Sequence, residues 1–213
     1  MIAALAPPGL VVVEADGPFA DEEADAREEA YIQSAVGKRR REFRTGRACA
    51  RAALARFGIE DFAVLPNEDG APCWPPGMVG SITHTSSYCA SAVAREREIL
   101  GVGIDAETAE PLKEGLARMV CTRSELDRLS SLKDDSAGRW AKLVFSAKES
   151  VFKYYYPLAR TRLDFADLEI DISPDPGRFA ARLLNWDRPA AAGARTFEGR
   201  FGWSMDHVFT IVT

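Results

Sequence analysis

Residues Lys38 to Phe57 point to one secondary structure. Phe43, Ala50, Leu54 and Phe57 recur at i, i+7, i+11 and i+14 as an apolar stripe, and Arg40, Arg44, Arg47 and Arg51 share a second face at i, i+4, i+7 and i+11. This predicts a long basic helix ended by Gly58. The segment also sets a charge problem. Lys38 to Arg56 carries eight bases and one acid, 8 − 1 = +7, whereas Glu14 to Glu29 carries eight acids and one base, 1 − 8 = −7. The acidic stretch reads as a second helix over about Asp21 to Val36. Two readings of the basic face stand side by side: it pairs with its acidic neighbour, or it grips an anionic ligand or partner.

The whole-chain charge hides this asymmetry, since 27 basic against 32 acidic residues in 213 give only −5. With 46% apolar residues and four cysteines, a disordered tail, a collagen-like chain and a disulfide-stapled miniature are excluded. The mildly acidic total argues against wholesale nucleic-acid binding. Cys49, Cys73, Cys89 and Cys121 form no Cys-x-x-Cys pair and have only His84 and His207 to join them, so idle thiols in a reducing compartment are expected. Met1 to Val13 lacks a basic region before an apolar core, and no segment approaches the ~18 apolar residues of a membrane span. A soluble, cytoplasmic protein with no membrane partner is expected.

Strands are predicted at Leu10 to Glu14, Gly80 to His84, Tyr88 to Ala94 and Ile99 to Ile104, with a Pro-rich loop over Pro66 to Gly77. Helical sequence follows at about Pro111 to Leu132 and Ala137 to Tyr156. Further strands are predicted at Leu168 to Ile172, Arg178 to Leu184, Arg195 to Ser204 and Val208 to Val212. The order strand, helices, strands thus occurs twice, which predicts an α+β protein of two similar α/β lobes, residues 1–98 and 99–213, with a cleft between them.

Three further constellations could carry chemistry. In Gly103-Ile104-Asp105-Ala106-Glu107 the two acids are i and i+2 on a strand, so their carboxylates face one side and suit a hard cation such as Mg²⁺. In Phe145-Ser146-Ala147-Lys148-Glu149-Ser150-Val151-Phe152-Lys153 the stripe Trp140, Val144, Ala147 and Val151 leaves Lys148, Glu149 and Lys153 to face elsewhere. Gly80-Ser81-Ile82-Thr83-His84 runs a strand into hydroxyl-rich sequence suited to an anion. Each alone reads equally as surface acids, an i,i+4 ion pair or a structural histidine. Together they make a kit for a multiply phosphorylated ligand handled through a divalent ion. No Gly-x-x-x-x-Gly-Lys-Ser/Thr loop is present, and Gly101-Val102-Gly103 lacks a third glycine.

The order of Lys38-Arg39-Arg40-Arg41-Glu42-Phe43, Gly46-Arg47-Ala48-Cys49-Ala50-Arg51, Gly80-Ser81-Ile82-Thr83-His84, Gly103-Ile104-Asp105-Ala106-Glu107 and Phe145 to Lys153 resembles the 4′-phosphopantetheinyl transferases, in the double-length class and nearest the enterobactin-synthetase component D branch. The resemblance implies two lobes related by a pseudo-two-fold, with the active site in their cleft. It implies coenzyme A as donor, the serine of an apo acyl or peptidyl carrier protein as acceptor, adenosine 3′,5′-bisphosphate as by-product, and Mg²⁺, or Mn²⁺ in its place. Asp105, Glu107 and Glu149, with the backbone of Ala106, would hold the metal, and Glu149, directly or through a water, would take the serine proton. Arg39, Arg47 and His84 would grip phosphates, supported by Ser81 and Thr83, while Lys148 and Lys153 would neutralise the pyrophosphate. Pro66, Asn67, Glu68 and Asp69 would run along the adenine, and Leu163 would touch the pantetheine arm. Members often carry a basic residue in the adenine-side loop, whereas this chain has no Lys or Arg between Arg56 and Arg95.

A monomer serving siderophore, polyketide or nonribosomal-peptide assembly is the resulting expectation. The competing readings are a nonenzymatic module that docks the basic helix on nucleic acid or an acidic partner, and a different coenzyme A-dependent acyl transferase.

Overall fold

A computed structural model describes residues 1–17, 19, 24–131, 137–173 and 177–213. The chain divides into two compact units, Ile2–Val102 and Gly103–Thr213, the second also taking in Met1.

The N-terminal unit is a three-stranded antiparallel sheet of β1 (Val11–Asp16), β2 (Met78–His84) and β3 (Tyr88–Arg95), in the order β1-β3-β2. The basic helix is α2 (Gly37–Ala55), and it buries Ala50, Ala53 and Leu54 against Val64, Met78 and Val93. A Cβ on Gly46 would stand 3.0 Å from Ile82 Cγ2, so a small residue lets helix and sheet approach here. The acidic stretch is not the long helix expected. Only α1 (Ala26–Glu29) is helical, capped by Asp25, whose side chain accepts from the Arg27 N–H; 30–35 is turn, and 20–23 lie outside the described residues. Glu28 and Glu29, within α1, pair with Arg51, Arg40 and Arg44 of α2 and so tie this short helix to the basic one.

The C-terminal unit is a five-stranded antiparallel sheet in the order β4-β8-β7-β6-β5, from β4 (Gly103–Thr108), β5 (Leu168–Ser173), β6 (Arg178–Leu183), β7 (Thr196–Trp203) and β8 (His207–Val212). The strand expected at Ile99 to Ile104 begins four residues later. β4 pairs with β8 from Gly103↔Val212 to Thr108↔His207, so residues 99–102 meet no partner, and Ile99 instead donates its N–H to Arg95 O in a turn. Asp105 and Glu107 therefore lie within the strand. The helix expected over Pro111 to Leu132 is two helices, α3 (Glu114–Val120) and α4 (Arg123–Ser130), and Leu132 lies outside the described residues. Thr122 and Glu125 form a capping box that starts α4 afresh: Glu125 N–H donates to Thr122 Oγ1 and Thr122 N–H to Glu125 Oε2, at 3.2 and 2.6 Å. α5 (Ala137–Ala159) runs past Tyr156 with Pro157 inside its last turn, and its Leu143, Val144, Ala147, Val151 and Tyr155 join the buried core of this unit.

Candidate active site

β4 and α5 build the acidic centre. Along β4 the residues Gly103, Asp105 and Glu107 share one face. At Gly103 a Cβ would fall 1.9 Å from Ser150 O and 2.7 Å from Tyr154 N, so α5 lies directly on the strand there. Across the sheet Asp105 pairs with Thr210, whose hydroxyl donates to Ser146 O at 2.9 Å and lies 2.9 Å from Ser146 Oγ. These contacts fix the register of α5 on the sheet. Lys142, Ser146, Glu149 and Lys153 then follow at i, i+4, i+7 and i+11 along the helix.

The charges interlock. Lys153 Nζ donates to Asp105 Oδ1 at 2.7 Å and to Ile104 O at 3.0 Å. Lys142 Nζ lies 3.4 Å from Glu107 Oε2. Burial pushes Glu149 above the usual carboxylate range; Lys153 opposes this, and Asp105 and Glu107 add to it. Burial likewise raises Glu107, helped by Asp105 and opposed by Lys142 and Lys153. Among the described residues no three His, Cys, Asp or Glu side chains are grouped so as to hold a metal ion. The chemistry of the set nevertheless fits a hard divalent cation. It is all oxygen and partly buried, and its two raised carboxylates are destabilised by neighbouring negative charge, Glu107 by Asp105 and Glu149 by Asp105 and Glu107. Ala106, the residue between, is buried and in register with Phe209.

Glu149 and Leu163 line one pocket of about 190 Å³ together with Phe152, Phe165 and Leu168. Lys148 lines the same pocket. It is 1% exposed, and its ammonium donates to Glu125 Oε2 at 2.8 Å, Val120 O at 2.9 Å and Phe165 O at 2.9 Å. An ammonium has three hydrogens, and all three are used in holding α3, α4 and the turn at Phe165 to α5. In this arrangement Lys148 cross-links these elements.

In the N-terminal unit, Arg39 Nη1 lies 2.8 Å from His84 Nε2, and Glu42 Oε2 is 3.8 Å from His84 Nδ1. An arginine can only donate, so Nε2 accepts and the imidazole is the Nδ1–H tautomer in this arrangement. Arg47, read from periodicity as part of the exposed basic face, is buried. Its Nε donates to Val64 O at 2.7 Å, its guanidinium sits 4.2 Å from the Phe43 ring centroid, and burial lowers its pKa to about 10. The rest of that face is paired. Glu29 takes Arg40 and Arg44, each at 2.6 Å, and Glu28 takes Arg51. Ile82 and His84 face α2, so Ser81 and Thr83, both buried, point to the opposite side of β2. Pro66 to Asp69 form a tight loop. Pro66 bridges to Pro72, and Asn67 accepts the Asp69 and Ala71 N–H groups on its side-chain oxygen, at 3.0 and 2.9 Å.

Sequence reasoning missed Lys142, Glu42, Glu28 and Glu125. Lys142 had a signal, since it is seven residues before Glu149 on the same helical face. Glu28 is used by partners distant in sequence that no local pattern marks, whereas Glu125 carries the Thr-x-x-Glu signal of a capping box but its bond to Lys148 is distant.

Comparison with known proteins finds one family over both halves of the chain. The family model for the 4′-phosphopantetheinyl transferase N-terminal domain matches residues 27–94, and that for the 4′-phosphopantetheinyl transferase superfamily matches residues 101–211. The 4′-phosphopantetheinyl transferase Svp of Streptomyces mobaraensis is 43% identical over all of this chain and 88% of its own length. The 4′-phosphopantetheinyl transferase PptT of Mycobacterium tuberculosis is 34% identical over 94% of this chain and 84% of its own. Enterobactin synthase component D of Escherichia coli K12 is 31% identical over 75% and 68%.

Proposed function

Because the chain belongs to the 4′-phosphopantetheinyl transferase superfamily, we propose that it moves the 4′-phosphopantetheine group of coenzyme A onto a serine of an apo acyl or peptidyl carrier protein, with Mg²⁺ as cofactor. The observation that carries this reading is the coupled set of Asp105, Glu107 and Glu149 with Lys153 at its edge, one member of which lines a pocket with Leu163.

The serine oxygen forms a bond to the phosphorus next to pantetheine, and the bond from that phosphorus to the bridging oxygen breaks. Adenosine 3′,5′-bisphosphate leaves with the bond's electron pair. Glu149 takes the serine proton, directly or through a water, and burial makes it a stronger base than an exposed carboxylate. Lys153 holds positive charge beside the reacting phosphate, while Asp105, Glu107 and Glu149 would hold the metal. When bound, Mg²⁺ supplies Lewis-acid neutralisation of the pyrophosphate. Arg39, Arg47 and His84 bind phosphate groups of coenzyme A, the Pro66 to Asp69 loop follows the adenine, and the Leu163 pocket takes the pantetheine arm. Arg47 remains cationic at neutral pH despite its burial. The matches to both family domains within one chain support a monomer.

A docking module for nucleic acid would need the charge of the α2 face outward, and Glu28 and Glu29 neutralise Arg40, Arg44 and Arg51 of that face. Mass spectrometry of an apo carrier protein incubated with coenzyme A and Mg²⁺ tests the proposal. One added phosphopantetheine is expected, and none with Glu149→Gln. No mass gain on acyl or peptidyl carriers overturns it, and transfer of an acyl group alone would indicate the other coenzyme A chemistry.

A further inference from the structure

The acidic stretch before α2 has no part in the reaction above, yet one of its carboxylates is among the most deeply buried charges in the N-terminal unit. Glu28 is 1% exposed. Its Oε1 accepts the Val64 N–H at 2.9 Å, and its Oε2 pairs with Arg51. Val64 is wholly buried and lies outside any strand or helix, so its backbone N–H and C=O find no ladder partner. Two side chains satisfy them instead. Glu28 takes the N–H and Arg47 Nε donates to the C=O at 2.7 Å. The backbone of one residue is thus held between a buried acid and a buried base.

We infer that Glu28 is a positioning residue for coenzyme A binding: through the Val64 backbone it fixes where the Arg47 guanidinium and the start of the Pro66 to Asp69 loop stand. The inference rests on the reading that Arg47 binds phosphate. Arg47 uses its Nε on Val64 O and lies against Phe43, which orients the rest of its guanidinium. Val64 is also the lead-in to the loop. Leu65 O accepts the Cys73 N–H at 2.8 Å and Pro66 bridges to Pro72, so a shift at Val64 moves the adenine-side loop as well. Glu28 acts on Arg47 by charge too: burial lowers the guanidinium pKa, and the Glu28 carboxylate is the largest influence opposing it. The sequence's paired blocks of opposite charge then have a division of labour. Glu29 ties α1 to Arg40 and Arg44, while Glu28 reaches through Val64 to Arg47.

Two double variants separate the Val64 link from the Arg51 ion pair without leaving the Arg51 guanidinium unpaired; both remove the Glu28 charge that acts on Arg47, so their difference reads the Val64 link alone. Glu28→Gln/Arg51→Met keeps an oxygen for the Val64 N–H, and Glu28→Leu/Arg51→Met does not. With apo carrier protein as acceptor, the Leu variant is expected to raise KM for coenzyme A about tenfold with kcat within about twofold, and the Gln variant to change neither by more than about twofold. Glu28→Asp, which keeps the charge but shortens the arm, is the milder probe should the Leu variant fail to fold; it is expected to raise KM about threefold. Equal KM in the Leu and Gln variants, or an unchanged KM in Glu28→Asp, overturns the inference. Arg47→Ala in parallel shows which reading has failed. If it raises KM while the Glu28 variants do not, positioning through Val64 is wrong; if it too leaves KM unchanged, Arg47 does not bind coenzyme A.

Discussion

Lys153 Nζ sits 2.7 Å from Asp105 Oδ1, a contact that joins the last charged residue of the α5 motif to the middle of β4. The ammonium also donates to the Ile104 carbonyl, so it is held by the strand as much as by the acid. A cation in this place competes with a divalent ion for the Asp105 carboxylate, and it carries positive charge to any phosphate bound there. These two roles have opposite signs. For Lys153→Met, kcat is expected to fall about a hundredfold through loss of charge stabilisation, while half-saturation by Mg²⁺ moves to lower concentration. Steady-state transfer at varied Mg²⁺ reads both. A fall in kcat with weaker Mg²⁺ response would show that Lys153 organises the metal ligands instead of competing with them.

Glu149 gives a pH-dependent test that is independent of turnover. Its folded-state pKa lies above the ordinary value, because burial and then Asp105 and Glu107 disfavour its charged form against the help of Lys153. Protonation is therefore favoured by folding. The stability Glu149 contributes is full below the unfolded carboxylate pKa and is lost as pH rises through its raised folded value. In chelator-treated protein, Glu149→Gln is thus expected to melt at the same or higher temperature than the parent at pH 7.5, with the gap closing as pH falls below about 4, while transfer activity drops about a hundredfold or more. A lower Tm for the variant at neutral pH would mean that the charged carboxylate is stabilising and that its raised pKa is wrong.

What the sequence made legible is the part of the site fixed by local spacing. Asp105 and Glu107 at i and i+2 do share a strand face, and Glu149 and Lys153 at i and i+4 do lie on one helix face beside them. In the β-rich second half β6 and β7 were readable by their alternation, and β8, buried throughout, by its apolar run. Lys148 was not, because helical spacing sets it four residues after Val144 and three before Val151, at the margin of the apolar stripe. What buries it is Glu125, a partner 23 residues away whose own contacts depend on α4 and β5. The contacts of α1 were hidden for a related reason: Glu28 and Glu29 spend their carboxylates on arginines 11 to 23 residues distant. Pairing at that range has no period to read.

Gly103 sets how closely the two halves of the acidic centre approach. A methyl group there would lie 1.9 Å from Ser150 O, a backbone atom with no rotamer to yield. Gly103→Ala must therefore push α5 away from β4, separating Lys153 from Asp105. A loss of about 3 kcal/mol in urea unfolding is expected, with most of the transfer activity lost under conditions where the variant remains folded. Retention of full activity would mean that α5 and β4 need not be in direct contact for the chemistry.

Lys148 and Glu125 provide the matching test of scaffold against chemistry. Both side chains are 1% exposed, and Glu125 also accepts the Ile170 N–H at 2.6 Å and the Thr122 N–H at 2.6 Å. Removing the lysine alone strands a buried carboxylate, so Lys148→Met is expected to cost about 3–5 kcal/mol in urea unfolding. Glu125→Gln in the same chain removes the stranded charge and keeps an oxygen for one of the two N–H groups, which reach different carboxylate oxygens, so the double variant should regain part of that loss. Activity separates the roles. If Lys148 only holds α5 to its neighbours, the double variant recovers transfer together with stability. If stability returns and kcat stays a hundredfold down, the ammonium leaves Glu125 during the reaction to serve a phosphate after all.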